Sequence, residues 1–169
     1  MLIFLLGMMG SGKSTLGRQL AQRLGYTFVD LDAWVEQQER KSIAAIFEEQ
    51  GEEAFRRQER AALEAVVHQH NNAVVATGGG TPCFFDNINH MNSHGITVFL
   101  DTPPESITKR LMATNLELRP LLAGKNEGEI NSYLRKTLAH RNQFYEQAKY
   151  KLKGDTITAS QVALLLAKP

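Results

Sequence analysis

Residues 7–14 read GMMGSGKS, directly after the apolar run MLIFLL at 1–6. Gly7, Gly12, Lys13 and Ser14 satisfy the pattern glycine, four residues, glycine, lysine, serine or threonine, which marks a phosphate-binding loop between a strand and a helix. Glycines open backbone angles closed to other residues, so successive N–H groups turn inward around an anion at the positive end of the next helix. Lys13 is then expected to neutralise the β- and γ-phosphates of a nucleoside triphosphate. Ser14 offers a hydroxyl to the accompanying Mg²⁺. The bland alternative is a glycine-rich turn. The apolar run before the loop, and Leu16, Leu20 and Leu24 repeating every four residues after it, supply the strand and the helix that the motif requires. Gly10, Ser11, Gly12, Lys13, Ser14 and Thr15 are therefore the expected nucleotide-binding residues.

Working outward, three more apolar runs stand apart from helical patterns: Thr27 to Val29, Ala73 to Ala76 and Thr97 to Leu100, with a weaker fifth near Tyr150 to Leu152. Strands alternating with helices imply a parallel sheet covered on both faces, an α/β layer fold. Phe55, Ala62, Leu63, Val66 and Val67 form the core face of a third or fourth helix. Thr158 and Gln161 have capping-box spacing ahead of a last helix. Residues 113–128, ATNLELRPLLAGKNEG, lack periodicity and are long for a connection, as lids are.

The chain's 169 residues suit one domain, and a net charge of +1 provides no field for nucleic acid or anionic membrane. Any anionic ligand must be met by local charge. Cys83 is the single cysteine, so a packed thiol in a reducing compartment is expected and a multi-cysteine zinc site is excluded. The run at 1–6 lacks a basic flank and is short for a signal sequence, and nothing approaches a membrane span, so a soluble cytoplasmic protein is expected.

Five stretches place charge where such a fold would half-bury it. In VDLDAWVE, Asp30 and Asp32 follow the second strand at spacing two, so a shared face at the strand end is expected, with helix capping by Asp32 as the bland reading. In GEEAFRRQE, Arg56 and Arg57 point about 100° apart on a helix, so at most one faces a site. VVATGGG ends in Gly78, Gly79 and Gly80, which permit close backbone approach to a ligand or simply a tight turn. Arg119 in ELRPLL, extended before Pro120, is placed to swing onto phosphates, unless it is only an exposed loop arginine. In AHRNQFY, Arg141 interrupts the apolar stripe Ile130, Leu134, Leu138 and Tyr145, and a half-buried arginine needs an anion.

Together, the phosphate loop with DLD, FRR, TGGG and RPLL in this order resembles the shikimate kinase family from Leu2 to about Tyr145, with SIAAIFEEQGEEAFRRQE similar to its acceptor-binding segment. The resemblance implies a nucleoside-monophosphate-kinase-like P-loop fold with a five-stranded parallel sheet of order 2-3-1-4-5. It also implies an acceptor-binding region at about 32–61 and a mobile lid at about 113–128. The activity implied is ATP-dependent phosphorylation of the 3-hydroxyl of shikimate, giving shikimate 3-phosphate and ADP for aromatic amino-acid synthesis, by a monomer. By that resemblance Asp32 holds the attacking hydroxyl, Asp30 supports the Mg²⁺ held by Ser14, and Arg56 and Arg141 clamp the carboxylate. Gly78, Gly79 and Gly80 line the acceptor, Arg119 reaches the transferring phosphate together with Lys13, and Arg110 lies beside adenine. Gln143 stands where the family often has proline. Because loose phosphoryl transfer asks little of a base, Asp32 is expected to keep an ordinary carboxylate pKa near ~4.

A kinase for another carboxylated polyol such as gluconate, and a nucleotide-binding module without transfer, are the alternatives. Lys13, Asp32 and Arg119 together argue against the second. His90 and His94, four apart without a third ligand, read as a solvated face, and Trp34 as packing near the acceptor region.

Overall fold

The computed structural model describes residues 1–119 and 121–167. Five strands, β1 (Leu2–Leu6), β2 (Thr27–Asp30), β3 (Ala73–Ala76), β4 (Gly95–Asp101) and β5 (Tyr150–Lys153), form one sheet of order β2-β3-β1-β4-β5. Every pairing is parallel, with Leu2 opposite Ala73 on one side and Gly95 on the other. The expected strand order is found, and β4 begins two residues earlier than its apolar run suggests because Gly95 and Ile96 continue the ladder beside Leu2 and Ile3.

Alternation along β1 separates two core layers. Leu2, Phe4 and Leu6 face the layer that contains Val35, Phe55, Leu63, Met91, Ile130 and Tyr145. Ile3 and Leu5 face a smaller layer with Leu16, Leu20 and Val162. All five residues of β1 are buried, so this strand reads as a continuous apolar run rather than as an alternating one. Among the described residues seven α-helices surround the sheet: α1 (Lys13–Leu24), α2 (Leu31–Glu39), α3 (Ile43–Gln69), α4 (Asn87–His94), α5 (Pro104–Met112), α6 (Glu127–Tyr145) and α7 (Ala159–Leu166). The helix carrying Phe55 to Val66 is α3, which breaks direction at Gly51, where φ is 85° and ψ 171°. Thr158 and Gln161 make the expected capping box of α7.

The stretch expected to lack structure at 113–128 is in part ordered. Asn115 caps a short 3-10 turn at Leu116–Leu118 with its side chain, and α6 starts at Glu127 under an Asn126 cap, so the irregular segment ends at residue 126. Arg119 is extended, with φ −122° and ψ 94°, as a residue before proline should be, while Pro120 itself lies outside the described residues. Among the described residues no helix is long and apolar enough to cross a membrane.

Candidate active site

The C-terminal ends of β1, β2 and β3 open into one cleft of about 330 Å³, bordered by the phosphate loop, Asp30, Asp32, Thr77, Gly78, Gly79 and Arg119. The loop owes its path to glycine: φ is 143° at Gly7, 73° at Gly10 and 94° at Gly12, and Gly12 caps α1 with no side-chain partner. The first amides of α1 therefore point toward the cleft without a side-chain acceptor, as an anion site requires. Lys13 is buried, and its Nζ donates to the carbonyls of Gly7 at 2.7 Å and Met8 at 2.8 Å. Burial lowers its pKa to about 8, while Asp32 and Asp30 oppose the shift.

Asp30 and Asp32 do not share a strand face. β2 stops at Asp30, the chain turns into α2 at Leu31, and Asp32 stands in the first helical turn. The helix cap is Asp30 rather than Asp32: Asp30 Oδ1 accepts from Ala33 N at 3.3 Å, leaving Oδ2 to accept from Ser14 Oγ at 2.7 Å. This hydroxyl and carboxylate form a hard-oxygen pair of the type Mg²⁺ prefers. Among the described residues no group of three or more His, Cys, Asp and Glu side chains is arranged to hold a metal.

Asp32 departs from expectation in its acidity. Burial first, then the nearby carboxylates Glu59 and Asp30, push it up to about 6, against the pull of Lys13 and Arg56. A carboxylate at that pKa is half poised to take a proton near neutral pH, which an ordinary aspartate is not.

The TGGG turn gathers the remaining charges. A methyl at Gly78 would sit 2.9 Å from both Asp32 Oδ1 and Glu59 Oε1, one at Gly79 would sit 2.7 Å from Arg141 Nη1, and one at Gly80 2.5 Å from Arg56 Nη2. Only glycines let the two arginines and two acids approach the backbone so closely. Tyr145 braces the turn from α6, its hydroxyl donating to the Gly79 carbonyl at 2.6 Å. Arg56 faces this site with 9% of its side chain exposed, while Arg57 points to solvent with 70% exposed, so one of the pair is inward as helical geometry demands.

A family model described as shikimate kinase matches residues 9–168 of the chain. The chain belongs to the shikimate kinase family. Among curated members, the shikimate kinase of Phocaeicola vulgatus is 43% identical over 155 residues, covering 92% of this chain and 87% of the relative. A crystal structure of shikimate kinase from Bacteroides thetaiotaomicron superposes with a TM-score of 0.93 at 38% identity, over 99% of this chain and 98% of that one. The Acinetobacter baumannii shikimate kinase, solved in complex with shikimate, gives a TM-score of 0.85 at 35% identity, over 98% and 89% of the two chains.

Arg110 does not join the cleft: it flanks the far side of the phosphate loop, Nη1 donating to Gly10 O at 3.2 Å and Nη2 to Asp155 O. It borders a separate recess of about 540 Å³ together with Thr15, Gln19 and Thr156 to Thr158, large enough for a base beside the loop. Glu59, 1% exposed, joins the glycine turn although no sequence motif marks it. It accepts from Arg56 Nη1 at 3.0 Å and from Thr81 Oγ1 at 2.5 Å. Its signal, a glutamate about one helical turn from an arginine, is shared with the more exposed pairs Arg57–Glu53 and Arg60–Glu64 of the same helix. His90 is not fully solvated, for Nδ1 lies 3.3 Å from Arg60 Nη2, whereas His94 is exposed. Trp34 packs edge-on against His70 at the C-terminus of α3, with ring centroids 6.1 Å apart.

Proposed function

We propose that the protein transfers the γ-phosphoryl group of ATP to the 3-hydroxyl of shikimate, giving shikimate 3-phosphate and ADP on the route to aromatic amino acids. The observation that carries this reading is the convergence of Asp32, Arg56 and Arg141 on the TGGG turn at the open end of the phosphate loop. Two guanidiniums on one side reward a carboxylate, and the carboxylate of Asp32 on the other rewards a hydroxyl that must lose its proton.

In this reading the amides after Gly12 and the Lys13 ammonium hold the phosphates, and Arg119 neutralises the group in flight. Ser14 and Asp30 would hold Mg²⁺, which spreads the negative charge of the β- and γ-oxygens. Asp32 orients the attacking hydroxyl and takes its proton late, while Arg56 and Arg141 fix the ring through its carboxylate, in line with the phosphate. The recess beside Arg110 receives adenine. Residues 32–61 act as the acceptor-binding region and about 113–128 as the lid of one kinase domain. We take the enzyme to act as a monomer, and its single cysteine, Cys83, a free thiol, suits a reducing cytoplasm.

The test is ADP release by purified protein with ATP and Mg²⁺, comparing shikimate, gluconate, AMP and no acceptor. A large rise with shikimate alone is expected; a rise with gluconate alone, or no rise despite ATP binding, overturns the reading.

The two shifted groups also predict the pH profile. Asp32 must be ionised to accept the proton, so kcat/KM should rise with pH through about 6. Lys13 must be charged to receive phosphate, so kcat/KM for ATP should fall above about 8. Bound phosphate restores the Lys13 charge, so the alkaline limb of kcat should lie higher than that of kcat/KM. A flat profile between pH 5 and pH 7 would remove Asp32 as the proton acceptor.

A further inference from the structure

The loop after the TGGG turn contains a conformational oddity. Phe85 and Asp86 both lie in the left-handed region, with φ 48° and 57°, although each carries a Cβ. Consecutive left-handed residues other than glycine persist only where surrounding contacts over-determine them, and such outliers cluster at functional sites. The restraint here is Arg60, whose Nη1 donates to Phe85 O at 3.1 Å and Asn87 Oδ1 at 3.0 Å, while Asn87 Nδ2 donates to Thr81 O at 2.9 Å. The outcome is a division of two adjacent rings: Phe85 is turned out, 47% exposed, and Phe84 is turned in over the guanidinium of Arg56, with Cζ 4.3 Å from the ring centroid.

We infer that Phe84 is a positioning residue for the acceptor: its ring is the wall that keeps Arg56 directed at the acceptor carboxylate. This rests on the carboxylate-clamp reading above. In its plane the guanidinium is held by Glu59 at 3.0 Å and, at a longer 3.4 Å, by Glu52, one turn back and largely exposed. Across that plane, the Gly80 backbone limits it so closely that a methyl there would stand 2.5 Å from Nη2. Arg56 and Phe84 both border a cavity of about 260 Å³ that Glu52, Cys83 and Arg141 also line. The other ring near Arg56, its chain neighbour Phe55, is farther off, with Cζ 5.1 Å from the centroid. Without the Phe84 ring, that face of Arg56 opens onto the cavity, and a guanidinium free to tilt there and turn further toward Glu52 is lost to the substrate. A purely structural role fits poorly, since Phe84 is only half buried and belongs to neither core layer.

The experiment compares Phe84→Ala, Phe84→Leu and Phe84→Tyr with the parent, using shikimate and its methyl ester as acceptors and following thermal unfolding in parallel. Loss of a cation–π contact predicts a ~3- to 30-fold rise in KM for shikimate in both the alanine and leucine variants, with the tyrosine variant near the parent. The kcat and the KM for ATP should stay within about twofold, because only acceptor binding loses a partner. With the methyl ester, which has no carboxylate charge for Arg56, the variant-to-parent ratio should fall toward one. An unchanged KM for shikimate in Phe84→Ala, a leucine variant equal to the parent, or an equal loss with the ester each overturns the inference. Arg56→Ala is the control that separates the two claims: if it leaves the KM for shikimate unchanged, the clamp reading itself has failed. If it raises KM while Phe84→Ala does not, only the role of Phe84 is lost.

Discussion

Asp32→Asn should lower kcat by ~10²- to 10⁴-fold, the range of a positioned proton acceptor, and leave ATP binding within about twofold of the parent. The substitution keeps the shape and a hydrogen-bond acceptor but removes the base, so loss of ATP affinity in step with turnover would mean that Asp32 supports the nucleotide site instead. The same substitution should stabilise the fold at neutral pH. In the folded chain Asp32 is pushed up to about 6 from a reference of 3.8 by burial and by the neighbouring carboxylates, so folding disfavours its charge. The unfolded chain ionises first, stability falls as pH rises from about 4 to about 6, and the cost is fully present above that. Discounted for partial exposure, it is ~1 to 2 kcal/mol, equivalent to a Tm higher by ~2 to 6 °C for Asp32→Asn at pH 7.5. At pH 4 the gain should vanish. An enzyme that gains stability while losing turnover would show that the site holds a charge the fold alone would not choose.

Arg141→Ala should raise KM for shikimate by ~10- to 150-fold, the value of one charge-assisted hydrogen bond, while KM for ATP stays within about twofold. Arg141 reaches Gly79 from α6 and lines, with Arg56, the cavity beside Phe84, and Lys13 senses it only as one of several charges. Equal effects on both substrates would place Arg141 on the phosphates and break the clamp. Lysine at this position should recover only part of the loss, because an ammonium cannot present the planar fork that fits a carboxylate. Initial-rate kinetics with each substrate varied in turn decide both points.

The parts of the protein legible in the chain are those whose causes are local. The strand, glycine loop and helix from Leu2 to Leu24 announce themselves because φ above zero, a free helix N-terminus and a four-residue leucine repeat are properties of a few adjacent residues. The α7 capping box is local in the same way. Arg56 against Arg57 also follows from helical geometry, since two neighbours cannot both face inward. Asp30 and Asp32 show where this reasoning stops: a spacing of two means a shared face only while the strand continues, and helix α2 starts one residue too soon. The raised pKa of Asp32, the buried Glu59 and the ring of Phe84 against Arg56 were decided by tertiary structure alone. Each depends on groups brought from α2, α3 and the loop after β3 into a space of a few ångströms. Desolvation and like-charge repulsion act through that space, not along the chain, so residues that look like ordinary surface glutamate and loop phenylalanine acquire their roles only when the sheet sets them beside the glycine turn.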